Sequence, residues 1–185
     1  MSRRARTKAA TPAKADPKAV AKRPAAKRST KVAAEKAAPA KRPRSKDVIQ
    51  AEDAPRAVGH YPHARRVGDL LFLSGIGPRN PGDNRINGNV YDADDRLISY
   101  DIDAQVRAVF QNVIAVLEAS GATLADLVDV TVYLTDMARD FRTYNAIWAE
   151  HFPDPDAAPC RTTLGITALP TQIAIELKCT AVVAR

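Results

Sequence analysis

The chain is poor in the side chains that metal and thiol chemistry draw on. Its 185 residues include two cysteines and three histidines. Cys160 and Cys179 have no metal-ligand spacing, and two cysteines do not make a disulfide framework. Both are read as reduced thiols of a cytoplasmic protein. His60 and His63 fall in an expected loop and His151 ends an expected helix, with no third ligand suggested near either, so no metal is expected. No serine stands in a nucleophile-elbow context and no glycine-rich loop joins a strand to a helix, so no cofactor is expected. Wholly apolar runs are a handful of residues long, too short to span a membrane.

Charge is plentiful but segregated. Residues 1–46 carry 16 Lys/Arg against Asp16 and Glu35, a net +14, whereas residues 47–185 carry 12 Lys/Arg against 19 acids, a net −7. The overall +7 therefore describes neither part. The first 46 residues are built from Ala, Lys, Arg and Pro, with no aromatic residue and almost no branched apolar one. Such a segment cannot bury enough surface to offset the entropy of ordering it, so a disordered basic tail is expected. Repeated A-K-R and K-R-P units suit weak binding to nucleic acid or another polyanion by phosphate neutralisation without sequence reading. Two plainer readings stand beside it: a solvated extension, or a start codon assigned upstream of the true one. With only Met1 and Met137 available, that second case needs an alternative codon, for instance at Val48. No apolar stretch follows the charges, so the tail does not read as a secretory signal.

The remaining 139 residues suit one domain with one core. Leu70–Leu73 is a short apolar run between Gly68-Asp69 and Gly75, a buried strand with a turn on either side. The stretch to Tyr100 is rich in Gly, Pro and Asn and reads as loop, with a short strand over 97–100. Asp101 or Asp103 caps a helix running to about Ser120, whose stripe is Val106, Val109, Phe110, Val113, Val116 and Leu117, and which Gly121 ends. Thr123-Leu124-Ala125-Asp126 resembles a capping box. Val128, Val130, Val132 and Leu134 alternate with polar residues as a half-buried strand. A second helix is expected from about Asp140 to His151, burying Phe141, Tyr144, Ile147, Trp148 and His151. Pro153 and Pro155 break the chain, and strands over roughly 161–167 and 173–183 close it. In the last strand Ile173, Ile175, Leu177 and Cys179 share one face, and Ala174, Glu176, Lys178 and Thr180 the other.

The order strand, strand, helix, strand, helix, strand, strand predicts an α+β fold, a small mixed β-sheet with two helices on one face. The other sheet face needs cover, which points to a homo-oligomer.

Arg161 and Glu176 stand out because each interrupts a segment that otherwise reads as buried β-structure. Arginine is a planar fork that grips a carboxylate, and a glutamate can hold and polarise a water. Each also has an ordinary reading, a surface ion pair for Arg161 and an outward-facing strand carboxylate for Glu176. Without a metal or covalent nucleophile, hydrolysis needs an electrophile that water can already attack, and an imine is one.

The motifs G-H-Y-P-H-A-R-R-V-G-D-L-L-F-L-S-G at 59–75, A-S-G-A-T-L-A-D-L-V-D-V-T-V-Y-L-T-D-M at 119–137, D-F-R-T-Y-N at 140–145, C-R-T-T at 160–163 and A-L-P-T-Q-I-A-I-E-L-K at 168–178 occur in this order. They resemble the Rid (RidA/YjgF) family of imine/enamine deaminases from about Gly59 to Val183. The resemblance implies a chorismate-mutase-like domain in a homotrimer, with sites in clefts between subunits. It further implies that Arg161 fixes the substrate carboxylate, Glu176 positions the attacking water, and Tyr61, Ser74 and Asn145 line the pocket. The family's usual cysteine two residues after the arginine is here Thr163. The P-H-A-R-R-V-G-D stretch and the long segment from Gly77 to Tyr100 look most like the 2-aminomuconate deaminase group of aromatic-compound degradation. A substrate with two carboxylates would need a second cation, for which Arg79 is the first candidate and His63 or Arg65 the next. A general 2-iminoacid deaminase and a nucleic-acid-associated oligomer acting through the tail are the alternatives.

Removing residues 1–46 is expected to abolish retention on an immobilised polyanion at low salt, because the remainder is net acidic. If the tail contacts six or more phosphates, full-length binding should weaken roughly 10³-fold or more between about 50 and 200 mM salt. Retention of the truncated chain under the same conditions would refute the assignment.

Overall fold

Two strands joined by a tight turn begin the sheet where the sequence shows least alternation. In a computed structural model that describes residues 47–183, β2 (Ala64–Val67) pairs antiparallel with β3 (Leu70–Leu73) across Gly68-Asp69. Gly68 has φ +63°, the conformation that a two-residue type II′ hairpin asks of its first central residue. The strand β2 reads A-R-R-V and was not expected. Its Arg65 pairs with Phe72 on one face while Ala64 and Leu73 meet in the core. A two-residue β1 (Val48–Ile49) pairs outside it. The tail expected at 1–46 lies outside the described residues.

The expected loop between Gly75 and Tyr100 holds a separate antiparallel hairpin, β4 (Asn89–Tyr91) with β5 (Leu97–Tyr100). Asp101 caps α1 (Ile102–Ala119), its carboxylate accepting the Asp103 N–H at 2.9 Å. At the other end Gly121 takes φ +71°, and the N–H groups of Gly121 and Ala122 donate to Glu118 and Leu117. This is the Schellman closure that glycine permits. The predicted stripe from Val106 to Leu117 is buried. Thr123 and Asp126 form the expected capping box around a short 3₁₀ turn.

A bulge decides the facing of β6 (Leu127–Leu134). The register shifts between Leu127 and Asp129, so Leu127 enters the core and Val128, expected inside, turns out. The second helix, α2 (Met137–His151), starts earlier than expected because Asp136, not a later residue, caps it by accepting from the Arg139 N–H. Tyr144, Ile147 and Trp148 are buried as expected, but Phe141 is exposed and Asp140 takes the inward place. The chain closes with β7 (Cys160–Gly165), parallel to β6, and β8 (Ile175–Val182), antiparallel to it. The six-stranded mixed sheet has the order β1-β2-β3-β8-β6-β7. Both helices pack on one face, the α+β architecture the sequence predicts. The opposite face shows Leu70, Phe72, Val128, Leu164 and Val182, all partly exposed.

Asp140 joins the helices' start regions. It is fully buried, accepts from the Tyr100 hydroxyl at 2.7 Å and from Arg139 Nε at 2.8 Å. The Arg139 guanidinium lies 3.6 Å from the centre of the Tyr100 ring. Burial, and after it the hydrogen bond to Asp140, pushes the Tyr100 phenol up to about 12. Asp140→Ala leaves that phenol without its acceptor, a loss of about 1–3 kcal/mol. Thermal melts are expected to show Tm lowered by roughly 3–10 °C; an unchanged Tm would deny the cluster a structural role.

Candidate active site

Alternation along β8 sends Ile175, Leu177 and Cys179 into the core and therefore turns Glu176 to the face without helices. Burial raises the Glu176 carboxyl above the usual range, and the positive charge of Arg79 opposes the shift. Gly75 makes room for it: a methyl group there would collide with the Glu176 carboxylate. Two small adjoining cavities of about 20 and 30 Å³ share Tyr61, Gly75, Gly77 and Arg79 in their walls. Ser74 lines the first and Glu176 the second. Each has space for about one water, not for a substrate.

The side chains around this cleft are already committed in part. The Ser74 hydroxyl donates to the Pro62 carbonyl at 2.7 Å, leaving its lone pairs free to accept. Arg79 donates to Asn84 Oδ1 at 3.0 Å and to the Arg56 carbonyl at 2.8 Å. Its guanidinium still has further N–H groups to offer. His63 is buried with its Nδ1 accepting from the Ala51 N–H and its Nε2 donating to the Pro55 carbonyl. No donor remains for a second carboxylate, so His63 is a framework residue. Arg65 sits on the open sheet face opposite Phe72 and lines neither cavity.

Arg161 lies elsewhere. It is opposite Val130, which is opposite Cys179, and all three side chains share the helix-covered face. Glu176 is three residues along and two strands across, roughly 14 Å away by strand geometry, and on the opposite face. Arg161 donates through Nη2 to Asn145 Oδ1 at 2.8 Å. Its guanidinium carbon stands 4.8 Å from the Trp148 ring centre and 5.3 Å from that of Tyr144. The structure thus brings Arg161 to Asn145, and Tyr61, Ser74, Arg79 and Glu176 to one another, but does not join the two groups within one chain.

Several contributors lay outside the sequence reading. Asn112 of α1 donates to the Gly77 and Arg79 carbonyls, both at 2.8 Å, and so holds the loop that carries Arg79. Gln105, fully buried, accepts from the Ala174 N–H and donates to Asn89, which in turn donates to the Gln172 carbonyl. The signal was available: two amides seven residues apart on the buried side of an amphipathic helix. Among the described residues no group of three or more His, Cys, Asp or Glu could hold a metal, and no helix is long and apolar enough to cross a membrane.

Gly75→Ala is expected to keep the fold, with Tm lowered by no more than about 5 °C, because the colliding atoms are the end of a flexible side chain. The forced rotamer change costs about 0.5–1.5 kcal/mol. A crystal structure of the variant should show Glu176 swung from its wild-type position, and any activity that needs it should fall at least about tenfold; an unmoved carboxylate would refute this.

The model of the family described as Endoribonuclease L-PSP matches residues 51–183. A RutC family protein of Pyrococcus horikoshii is 36% identical over 133 residues, covering 72% of this chain and 94% of the relative. The chloroplastic Reactive Intermediate Deaminase A of Arabidopsis thaliana is 35% identical over 136 residues, covering 74% of this chain and 65% of the relative. Among solved structures, RidA from an Antarctic Psychrobacter superposes with a TM-score of 0.63 at 29% identity, over 74% of this chain and 98% of that one. The YjgF gene product of Escherichia coli gives 0.61 at 32% identity, over 73% and 97%. With the sheet, the two helices and the matched span in agreement, the chain belongs to the Rid (RidA/YjgF/L-PSP) family.

Proposed function

We propose that this protein is a hydrolytic deaminase that converts the imine of a 2-amino acid or enamine into the 2-oxo acid and ammonia, as a homotrimer with sites between subunits. The observation that carries the proposal is Glu176: a half-buried carboxylate of raised pKa in a cleft walled by Tyr61 and Arg79. Names of relatives, Reactive Intermediate Deaminase A among them, agree with it. The separation of Arg161 from Glu176 across the sheet supports the oligomeric part. One substrate can meet both residues only if they come from two chains, and the partly exposed apolar face supplies an area for association.

In this reading Arg161 of one subunit holds the carboxylate next to the imine carbon. Glu176 of its neighbour orients a water and takes its proton as the oxygen adds to that carbon. The proton then passes to the nitrogen of the tetrahedral aminol. Glu176 then carries the hydroxyl proton of the aminol to the nitrogen as the C–N bond breaks, so the carbonyl forms and ammonia leaves. The chain needs no covalent intermediate for this.

The finer assignment is 2-aminomuconate. Arg79 shares the cleft with Glu176 and acts on its charge, which is where a second carboxylate would meet a cation. A general 2-iminoacid deaminase is the competing substrate class, and Arg79 separates the two. Arg79→Ala should raise KM for 2-aminomuconate about 10- to 100-fold, the equivalent of a charge-assisted hydrogen bond of about 1.5–3 kcal/mol. Measured at a pH above the acid limb, imines of short monocarboxylic amino acids should stay within about twofold.

The base must be ionised to act, so activity should rise with pH through the titration of Glu176. Because Arg79 lowers that pKa, its removal should move the acid limb of kcat/KM to higher pH. Glu176→Gln should cost roughly 10²–10⁴ in kcat. Near-normal ammonia release by the Glu176 variant, measured by a coupled assay, would end the proposal.

A further inference from the structure

Two polar atoms are buried where the Arg161 guanidinium meets Tyr144 of α2. The Tyr144 hydroxyl and Arg161 Nη1 each lack a partner in strict hydrogen-bond geometry within the chain. Tyr144 is fully buried on α2, one residue before Asn145. Consecutive helical residues diverge by about 100°, so Asn145 reaches the guanidinium from the rim while Tyr144 approaches from the core side. Thr163 joins them from β7, two residues beyond Arg161 and hence on the same face. Burial raises the phenol, and looser hydrogen-bonding contacts with Thr163 and Arg161, together with the charge of Arg161, oppose that shift, which places both residues beside its oxygen.

Phenylalanine would fill the same space and spare the chain the cost of burying a hydroxyl. The hydroxyl is therefore a burden on stability unless it has work. We propose that Tyr144 is a positioning residue for Arg161: its oxygen accepts from the buried Nη1 and turns the Nε and Nη2 edge of the guanidinium outward as the fork for a substrate carboxylate.

The two aromatic rings below the guanidinium fix its height and tilt, since a cation is attracted to a ring face. A ring face is symmetric about its normal, however, and cannot choose which edge points out. Asn145 constrains one N–H of Nη2. The Tyr144 oxygen supplies the second point that stops rotation, with Thr163 placed to take the phenol proton. Both remaining donors of the outer edge, one on Nε and one on Nη2, then lie parallel, as bidentate carboxylate binding requires. The inference rests on the assignment of Arg161 to the substrate carboxylate.

The test is Tyr144→Phe in the full-length protein, read in three ways. Tm should fall by no more than about 5 °C, because the ring that fills the space remains and only the bonds of the hydroxyl are lost. The Kd for pyruvate, a simple 2-oxo acid used as a product probe, should weaken about tenfold by calorimetry, and KM for an iminoacid by a similar factor with kcat within about threefold. In an Arg161→Lys background the same change should add nothing. Side-chain ¹⁵N spectra, with Arg161 assigned by its loss in Arg161→Lys, should show restricted Nη signals in the wild type that merge in Tyr144→Phe.

Wild-type spectra and affinity in Tyr144→Phe would overturn the inference, as would an effect that persists undiminished in the lysine background. If the spectra change as expected but the wild type releases no ammonia from any imine, the positioning role stands and the proposed activity falls. Should Tyr144→Phe not fold, Thr163→Val, which removes the acceptor for the phenol proton, should weaken pyruvate binding in the same direction, and an unchanged Kd there would also overturn it.

Discussion

A β-strand can send only every second side chain into a core, and β8 carries that constraint for the whole molecule. Ile175, Leu177 and Cys179 fill the space beneath the helices, so Glu176 has no choice of face. Pairing then transmits the same phase through β6 to β7, where it assigns Arg161 to the helix side. The two residues with the most evident chemistry are thus separated by the sheet itself. A one-residue slip of β8 would bury the carboxylate and expose four core side chains, those of Ile175, Leu177, Cys179 and Ala181, so register and site are set by the same burial.

Around this frame, buried polar groups do the local placing. Backbone amides and carbonyls of the loops beside the cleft cannot pair in a sheet, and α1 provides substitutes through Gln105 and Asn112. Asp140 does the same between β5 and α2 through Tyr100 and Arg139. Each such bond contributes modestly, about 0.5–1.5 kcal/mol, but leaving one of its members unpaired is costly. That asymmetry is why these loops have defined positions without regular structure. The exposed network of Asp103, Arg107 and Glu150 is different in kind. Its hydrogen bonds at 2.8 Å raise the pKa of Arg107 and lower that of Glu150, yet solvent screens them and little stability follows.

Where side-chain pattern and burial coincide, the chain could be read directly. The stripe of α1, its Asp101 and Gly121 ends and the alternation of β8 are local properties, and each is found as expected. Failures follow from forces that act across the chain. Strand β2 has arginines where alternation would need apolar residues, and it exists because β3 offers it a hydrogen-bonding edge. Val128 is outside because a bulge, not the pattern, sets the phase at the start of β6. Phe141 lost the inward position to Asp140 because Tyr100 and Arg139 make a carboxylate acceptable there. His63 looked free to bind a ligand, but two backbone groups from residues 51 and 55 occupy its ring.

Read along the chain alone, the residues yield the segregation of positive charge into 1–46, the two helices and the closing strands, and Arg161 and Glu176 as the residues to watch. These depend on composition and short periodicities, which neighbouring residues carry. Folding is what turns those two residues to opposite sides of the sheet, brings Gly75 and Arg79 to Glu176 and sets Tyr144 against Arg161. Such relations are set by strand pairing and by packing between distant segments, where the partner of a residue is chosen by the fold and not by its neighbours along the chain.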